Sequence, residues 1–276
     1  MLLYAKLDGE KIVPKEKSMD STALFARERK LQIIDYLSLH RKATVQQLCD
    51  HFNVSSATIR NDLRDLDLRG KITRTHGGAM MREQAGFEPD MAARESEHVP
   101  EKKRIALAAL SLIDDGDTIA LDTGSTTLEL ARELCGRKLL TVVTNDMKIA
   151  LTLEECEGIS VVVMGGTLRR HFHSTVGDAG RAMIARLRVD KAFMGANSFS
   201  ITDGASTPDL HTAETKRAMI GIAARVILLC GGEKLGRRSF ATFATTEEID
   251  VIVTDRIDDQ LRQEIEEHDI ELRIAT

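Results

Sequence analysis

The chain has 276 residues, of which 42% are hydrophobic, and this is enough for two domains with substantial cores. Its formal net charge of −5 excludes a protein that is basic throughout. Residues 26–82 nevertheless contain eleven Lys or Arg against six Asp or Glu, a net charge of +5, so the remainder carries −10. A basic N-terminal part on an acidic body is typical of a DNA-binding module joined to a domain with another task.

Three features of the sequence indicate the cellular compartment: the cysteines, the N-terminal residues and the hydropathy. The four cysteines are widely separated and form no C-x-x-C pair, which predicts neither a disulfide framework nor a zinc site and favours a reducing cytoplasm. No apolar run approaches the ~18 residues that span a bilayer, and early charges at Lys6 and Asp8 argue against a signal peptide. Residues 1–22 are interpreted as a polar extension without an assigned role. We therefore expect a cytoplasmic protein without a membrane partner.

Residues 25–66 predict three helices. The first spans 25–39, with Leu31, Ile34 and Leu37 along one face and Ile33 beside them. Thr44–Leu66 then reads as two short helices around a tight turn that Val54 closes. Ser55 or Ser56 can cap the last of these helices. Its predicted apolar face consists of Ile59, Leu63 and Leu66.

The opposite face of this last helix carries side chains that donate hydrogen bonds to phosphate oxygens and base edges: Thr58, Arg60, Asn61 and Arg64. A helix-turn-helix places such a helix in the major groove of DNA. The alternative is a plain helical hairpin in a core. Gly70 ends the helix, and Lys71–Gly78 predicts a β-ribbon, the wing of a winged helix. Arg74 and His76 would then approach DNA, unless the ribbon is only a solvated hairpin.

Residues 83–100 lack clear periodicity and contain Gly86, Pro89 and Pro100, so they predict an interdomain linker with at most a short helix. From residue 101 onward, short apolar runs alternate with helical segments. This pattern predicts a mostly parallel sheet covered by helices on both faces. The predicted strands are 118–121, 139–144, 159–164, 191–194, 225–229, 251–254 and 271–274.

The turn after the first of these strands, Thr123–Thr127, is small and rich in hydroxyls. Free N–H groups at the following helix start, with the hydroxyls of Ser125, Thr126 and Thr127, predict an anion cradle. The alternative is an ordinary strand-to-helix turn. Asn145, Gly165–Gly166 and Lys234 follow other strands, and the carboxyl ends of parallel strands share one edge.

His211, Glu214 and Lys216 open a later helix and could face the same pocket, although such residues more often form a solvated helix face. No G-x-S-x-G, Walker or G-x-G-x-x-G motif is present, so we expect no nucleotide cofactor. His171 and His173 have no Cys, Asp or Glu partner at a recognisable metal-ligand spacing, so we expect no metal. We also expect no enzymatic activity. The pocket's carboxylates and lysine keep one alternative open, a sugar-phosphate isomerase-like enzyme fused to a DNA-binding head.

Residues 25–276 resemble the DeoR-type bacterial transcriptional regulators. The segments that carry the resemblance are Val54–Leu63, Thr73–Ala79, Asp122–Thr127, Val143–Asp146, Gly165–Gly166, Asp190–Gly195, Glu214–Arg217 and Lys234–Gly236. The resemblance implies an α/β protein with an N-terminal winged helix-turn-helix and a sensor domain of ribose-5-phosphate isomerase-like type. The domains would be 25–82, with the helix-turn-helix at about 43–62, a linker at 83–100, and a sugar-phosphate effector-binding domain at 101–276.

The implied function is repression of a carbohydrate catabolism operon, relieved by a phosphorylated sugar. The partners would be double-stranded operator DNA, that sugar, and further copies of the chain in a dimer or tetramer. The DNA contacts would be Ser55, Ser56, Thr58, Arg60, Asn61, Arg64, Lys71, Arg74 and His76. The effector contacts would be Asp122, Gly124, Ser125, Thr126, Thr127, Asn145, Gly166, Glu214, Lys216 and Lys234.

The chain also departs from the family pattern. Asn61 stands where the family usually has a second arginine, which removes a phosphate donor or changes base readout. Gly231, Gly232 and Glu233 replace a common Asp-Ser-Ser before the lysine, and Ser198 stands where glycine is frequent.

Overall fold

A computed structural model describes residues 26–40, 42–81 and 88–276. The chain divides into two compact units, with the boundary between Arg82 and Glu83.

The N-terminal unit is a winged helix. Its described elements are α1 (Ala26–His40), β1 (Lys42–Thr44), α2 (Val45–Phe52), α3 (Ser56–Leu68), β2 (Ile72–Thr75) and β3 (Gly78–Met81). The strands form an antiparallel sheet in the order β1-β3-β2. Thr44 starts α2 with a capping box that includes Gln47, and Asn53 ends it in the left-handed conformation. These local signals set the tight turn between α2 and α3.

The core of this unit confirms the predicted face of α3, because Ile59, Leu63 and Leu66 are all buried. The predicted face of α1 was partly wrong. Leu37 is buried, but Leu31 is 58% exposed and Ile33 is the second core residue. The buried stripe continues through Arg29, whose Nε donates to Asp62 of α3 at 2.6 Å. Because the buried face of α1 includes the charged residue Arg29, hydrophobic periodicity did not identify this face. Phe25, the predicted start of α1, lies outside the described residues.

The C-terminal unit contains a seven-stranded sheet in the order β15-β14-β12-β9-β4-β5-β6, in which every pairing is parallel. The seven predicted strands are confirmed as its members. They are β4 (Thr118–Leu121), β5 (Leu140–Thr144), β6 (Ile159–Val163), β9 (Val189–Gly195), β12 (Ala223–Leu229), β14 (Val251–Thr254) and β15 (Glu271–Ile274).

Helices cover both faces of this sheet. Ile119 and Leu121 of β4 enter the core on one face, while Ala120 between them enters the core on the other. Most positions of a central strand are therefore apolar, which is why these strands read as short apolar runs. The helices are α4 (Met91–Ser96), α5 (Val99–Leu110), α6 (Ser125–Glu133), α7 (Met147–Glu154), α8 (Asp178–Ile184), α9 (Leu210–Ile220) and α10 (Asp259–Glu267).

Five short strands of the C-terminal unit were not predicted from the sequence. They form a two-stranded sheet and a three-stranded sheet, both antiparallel. They are β7 (Thr167–Arg169), β8 (Ser174–Val176), β10 (Ser198–Ser200), β11 (Gly204–Thr207) and β13 (Ala241–Ala244). Strands of three or four small or polar residues carry little hydrophobic alternation, so their pairing depends on long-range neighbours.

The described part of the segment predicted as a linker, residues 88–100, is packed in the C-terminal unit. Met91 at the start of α4 is buried, and Glu95 forms an ion pair with Lys148 of α7. Pro100 lies in the first turn of α5, where the missing N–H would have no helical partner. Proline here opens a helix, although in the sequence it suggested a connecting segment.

The structure joins Cys135 and Cys156 in a disulfide, whereas the sequence predicted no disulfide. The two residues follow α6 and α7, which pack side by side, so their Cα atoms lie 5.2 Å apart despite a separation of 21 residues. Cys49 and Cys230 have free thiols. Within the described ranges, no helix has the length and apolar character required to cross a membrane.

Candidate functional site

The exposed surface of α3 carries the predicted polar face. Ser56, Arg60, Asn61 and Arg64 are exposed, and the apolar side of the helix is buried. Ser55 caps the helix, since its Oγ accepts a hydrogen bond from the N–H of Thr58 at 3.2 Å. Thr58 is half-buried and its hydroxyl lies 2.9 Å from that of Ser55. Ser55 and Thr58 therefore help to begin the helix, while the exposed residues are free to contact a partner.

The predicted wing is the hairpin formed by β2 and β3. Lys71, Arg74 and His76 are exposed on it or beside it. Gly78 has a structural role, because a Cβ at this position would lie 2.0 Å from the carbonyl oxygen of Ala43. This close approach lets β1 pair with β3, a strand pairing that the sequence did not predict.

The predicted anion cradle lies between β4 and α6. Gly124 is the residue before α6, and it provides no side chain to cap the helix. The hydroxyl of Thr127 donates to the carbonyl oxygen of Gly124 at 2.8 Å, which closes the turn. The first N–H groups of a helix have no intrahelical acceptor. The start of α6 therefore offers free donors beside the buried hydroxyl residues Ser125 and Thr126.

Asp122 and Lys216 form a buried ion pair beside this turn. The carboxylate is fully buried, and Lys216 is 3% exposed and donates both to Oδ2 of Asp122 and to the carbonyl oxygen of Gly195. The N–H of Gly195 also donates to Oδ2 of Asp122, at 3.0 Å. Burial raises the pKa of Asp122, whereas Lys216 and the backbone N–H groups of Gly195 and Thr123 act in the opposite direction. Lys216 is thus a core cation and does not belong to a solvated helix face.

Two buried oxygen atoms near this pair lack partners among the described residues. Oδ1 of Asp122 and Oδ1 of Asn145 accept no hydrogen bond there. Nδ2 of Asn145 donates to the carbonyl oxygen of Thr175 at 3.0 Å, which fixes the amide. A buried acceptor left unsatisfied is costly, so these two oxygens are suited to accept hydroxyl donors from a ligand.

The remaining predicted effector residues are placed differently. Gly166 has φ 137°, and a Cβ there would lie 2.4 Å from the carbonyl oxygen of Val176, so glycine is required for the chain to pass β8. Glu214 is half-exposed and accepts a hydrogen bond from Nη1 of Arg181 of α8, a residue outside the predicted set. Burial lowers the pKa of Lys234, and the charges of Arg94 and Lys216 lower it further.

Sequence reasoning missed four polar residues at this edge of the sheet. The hydroxyl of Thr123 donates to Oδ2 of Asp146 at 2.7 Å, and Oδ1 of Asp146 caps α7. Asp146 has the residue type and position of an N-cap, a signal that was available. Arg94 and Lys102 lie near the cradle, but both come from a region that was not considered for ligand binding. No local pattern in residues 88–102 indicates that this region folds back onto the sheet.

Two family models match the chain. A DeoR-like helix-turn-helix domain matches residues 29–85, and a DeoR C-terminal sensor domain matches residues 97–256. The chain belongs to the DeoR family. It is a helix-turn-helix transcriptional regulator, and its winged helix and mostly parallel α/β unit are the two domains that this DeoR-family protein combines.

Curated relatives agree with this assignment. The DeoR-family protein is 38% identical to the HTH-type transcriptional regulator GlpR of Haloferax volcanii, over 87% of this chain and 94% of that protein. It is 32% identical to the regulator GolR of Listeria innocua, over 91% and 100%. It is 33% identical to a putative aga operon transcriptional repressor of Escherichia coli O157:H7, over 83% and 86%.

Among solved structures, the chain resembles ribose 5-phosphate isomerase A from Methanocaldococcus jannaschii. The identity is 21%, the TM-score is 0.37, and the match covers 49% of this chain and 53% of that chain. A likeness of this strength carries no information on activity. Because the matching families and curated relatives are transcriptional regulators, the isomerase alternative has no support.

Proposed function

We propose that this DeoR-family regulator is a cytoplasmic repressor of a carbohydrate catabolism operon and that a phosphorylated sugar releases it from DNA. The observation that carries the effector half of this proposal is the uncapped start of α6 beside the buried Asp122–Lys216 pair. Free N–H donors suit a phosphate, and a carboxylate with an unused oxygen suits a sugar hydroxyl. A relative named as a putative operon repressor supports the direction of control.

The exposed face of α3 and the wing would bind double-stranded operator DNA. The proposed contacts are Ser55, Ser56, Thr58, Arg60, Asn61, Arg64, Lys71, Arg74 and His76. Helix-turn-helix proteins read two half-sites as symmetric pairs, so we propose a homo-oligomer, a dimer or a tetramer. The proposed domains are 25–82 for DNA and 101–276 for the effector.

The proposed effector site holds the phosphate on Gly124–Thr127. The ring and its hydroxyls would face Asp122, Asn145 and the two lysines. The full proposed set is Asp122, Gly124, Ser125, Thr126, Thr127, Asn145, Gly166, Glu214, Lys216 and Lys234. Of these, Gly166 would act by allowing the chain to pass close to β8, and Glu214 by its link to Arg181.

The proposal is tested by measuring release of the full-length protein from DNA. The DNA fragment is the region upstream of its own gene, and the candidates are hexose and pentose phosphates beside the same sugars without phosphate. We expect one phosphorylated sugar to lower DNA affinity and to raise the melting temperature by mass action. Release by the unphosphorylated sugar alone, or by no phosphorylated sugar, would overturn the proposal.

A substitution in the cradle sharpens this test. Thr126→Asp places a negative charge at the start of α6, where it would repel a phosphate. We expect this variant to bind DNA with normal affinity and to remain bound when the phosphorylated sugar is added. The matched control is Thr242→Asp, the same change at an exposed position of β13. If Thr126→Asp is released from DNA as easily as the control, the phosphate does not lie on this turn.

A further inference from the structure

Arg94 of α4 lies against the start of α6. Its Nη2 is 3.7 Å from the position that a Cβ would take at Gly124, and Oγ1 of Thr127 is 3.2 Å from the same point. A guanidinium therefore stands next to the uncapped N–H groups of α6. Guanidinium groups and helix N-termini both bind oxyanions, and the two are here brought together from separate parts of the chain.

Arg94 shares its carboxylate partner with a second arginine. Glu88 accepts from Nη1 of Arg94 at 3.1 Å and from Nη2 of Arg169 at 3.0 Å. The Glu88 side chain is well buried, and Arg169 also donates to the hydroxyl of Thr212. One carboxylate thus faces two guanidinium groups, and Asp209, whose Oδ1 lies 3.7 Å from Nε of Arg169, is a second acidic partner of that arginine. If Arg94 bound an anion and released Glu88, Glu88 would still be paired with Arg169.

Two further cations lie close to Arg94. The ammonium of Lys102 donates to the carbonyl oxygens of Arg94 and Glu97, which are uncharged acceptors. Burial, together with the charges of Lys234 and Arg94, lowers the pKa of Lys102 to about 8, against smaller opposing effects of Glu233 and Glu97. Holding like charges together in a buried place is unfavourable, and a bound anion would relieve this repulsion.

The buried acceptors at the neighbouring strand ends are an independent sign of a ligand. Oδ1 of Asp122 and Oδ1 of Asn145 are both more than nine-tenths buried and lack a partner within the described ranges. Asp122 is separated from Gly124 by one residue. Donors for an anion and acceptors for hydroxyls therefore occur within the same strand-to-helix turn and its neighbour, as a polyhydroxylated anion requires.

We infer that Arg94 binds the anionic group of the effector at the Gly124–Thr127 turn, and that Glu88 is the carboxylate it leaves when the effector binds. The inference rests on the proposed function and deepens it. After the DNA-binding domain, Glu88 is the first residue that the structure describes, and α4 is the first described helix. Effector binding would thus exchange an ion pair within the segment that follows the domain carrying α3.

The experiment titrates the full-length protein with inorganic phosphate in a calorimeter. Loss of one charge-assisted hydrogen-bonded contact predicts that Arg94→Gln binds phosphate about tenfold more weakly than wild type. Arg94→Lys should fall between the two, because it keeps the charge and loses the planar fork. The matched control is Lys103→Gln, which removes a positive charge from an exposed position of α5. Circular dichroism checks that each variant is folded.

A variant with the opposite expected sign separates recognition from a merely structural role. Glu88→Gln removes the competing carboxylate, so we expect it to bind phosphate more tightly than wild type. Unchanged phosphate affinity in Arg94→Gln, or weaker binding in Glu88→Gln, would overturn the inference, as would the absence of phosphate binding by wild type. The proposed function is decided separately, by the release of wild-type protein from DNA by a phosphorylated sugar.

Discussion

The Asp122–Lys216 pair illustrates how single residues set the character of the proposed effector site. Taking two charges out of water costs several kcal/mol per ion, and a direct ion pair offsets this only when the remaining polar atoms are satisfied. Here Oδ2 of Asp122 has Lys216 and the N–H of Gly195, while Oδ1 has no partner among the described residues. The pair is therefore held in a fixed position, and one carboxylate oxygen of Asp122 lacks a hydrogen bond within the described part of the chain. That oxygen could accept a hydrogen bond from a bound ligand.

Lys102 is expected to give the proposed effector site a pH dependence. Its pKa is about 8 in the folded protein, lowered by burial and by Lys234 and Arg94, against the effects of Glu233 and Glu97. Above this pH the ammonium loses its proton, and an anion loses an attractive charge. A bound anion would favour the protonated form. We therefore expect the contribution of Lys102 to phosphate affinity to decrease as the pH rises through about 8.

The measurement is phosphate titration at several pH values in wild type and in Lys102→Met. The variant should bind more weakly at pH 7 and should lack the step near pH 8. The sign for stability follows from the same pKa. Because the folded pKa lies below the unfolded value of 10.5, the cost of the buried charge is fully present below pH 8 and disappears as the pH rises towards 10.5. An identical step in Lys102→Met would assign the pH dependence to another group.

At the scale of elements, α3 is the part of the protein expected to read DNA. Arg60 is exposed on it, whereas Asp62 on its inner side is engaged by Arg29 of α1. Arg60→Ala should therefore weaken DNA binding without disturbing the fold. If Arg60 contacts only phosphate, the loss should be the same for all sequences and the salt dependence should fall by about 0.9 in log-log slope.

Fluorescence anisotropy with the operator and with a random fragment, at several salt concentrations, measures this effect. Lys103→Ala is the control, because it removes one exposed positive charge from α5, outside the DNA-binding unit. Normal operator binding by Arg60→Ala would show that the recognition face is elsewhere. Asn61, next to it, differs from the usual arginine of the family, so the operator sequence must be measured directly.

The elements also differ in how well the sequence predicted them. The central strands of the parallel sheet are largely buried on both faces, so their apolar runs were enough, while the edge strands β6 and β15 are partly exposed. The recognition helix was equally clear, because its buried and exposed faces alternate at helical spacing. In α1 the buried stripe includes Arg29, and the prediction chose Leu31, which is exposed. Strands such as β1 and β7 depend on partners far along the chain and gave no local signal.

At the scale of the whole molecule, the two functions must be thermodynamically linked. An effector releases a regulator from DNA only if it binds the free protein more tightly than the DNA-bound protein. Linkage then requires operator DNA to weaken effector binding by the same factor by which the effector weakens operator binding. Typical coupling energies of about 1–3 kcal/mol predict a factor of about 5 to 150 in each direction.

This reciprocity is checked by titrating the released sugar phosphate into the protein alone and into the protein saturated with operator. The ratio of the two dissociation constants should equal the ratio of operator affinities with and without saturating sugar. Thr126→Asp, which should not bind the sugar, is the reference for nonspecific effects of the ligand on DNA. Equal sugar affinity with and without operator would show that the sugar is not the signal that controls binding.

The sequence by itself determined the class of protein, the two kinds of domain and the strand-to-helix turn at Asp122–Thr127. These features depend on local patterns: helical and strand periodicity, capping residues and short motifs. Only the tertiary structure decided what surrounds the turn. It buried Lys216 against Asp122, brought Arg94 to the start of α6 and joined Cys135 to Cys156. The physical reason is that these contacts join residues distant in sequence, and chain folding, not local preference, places them side by side.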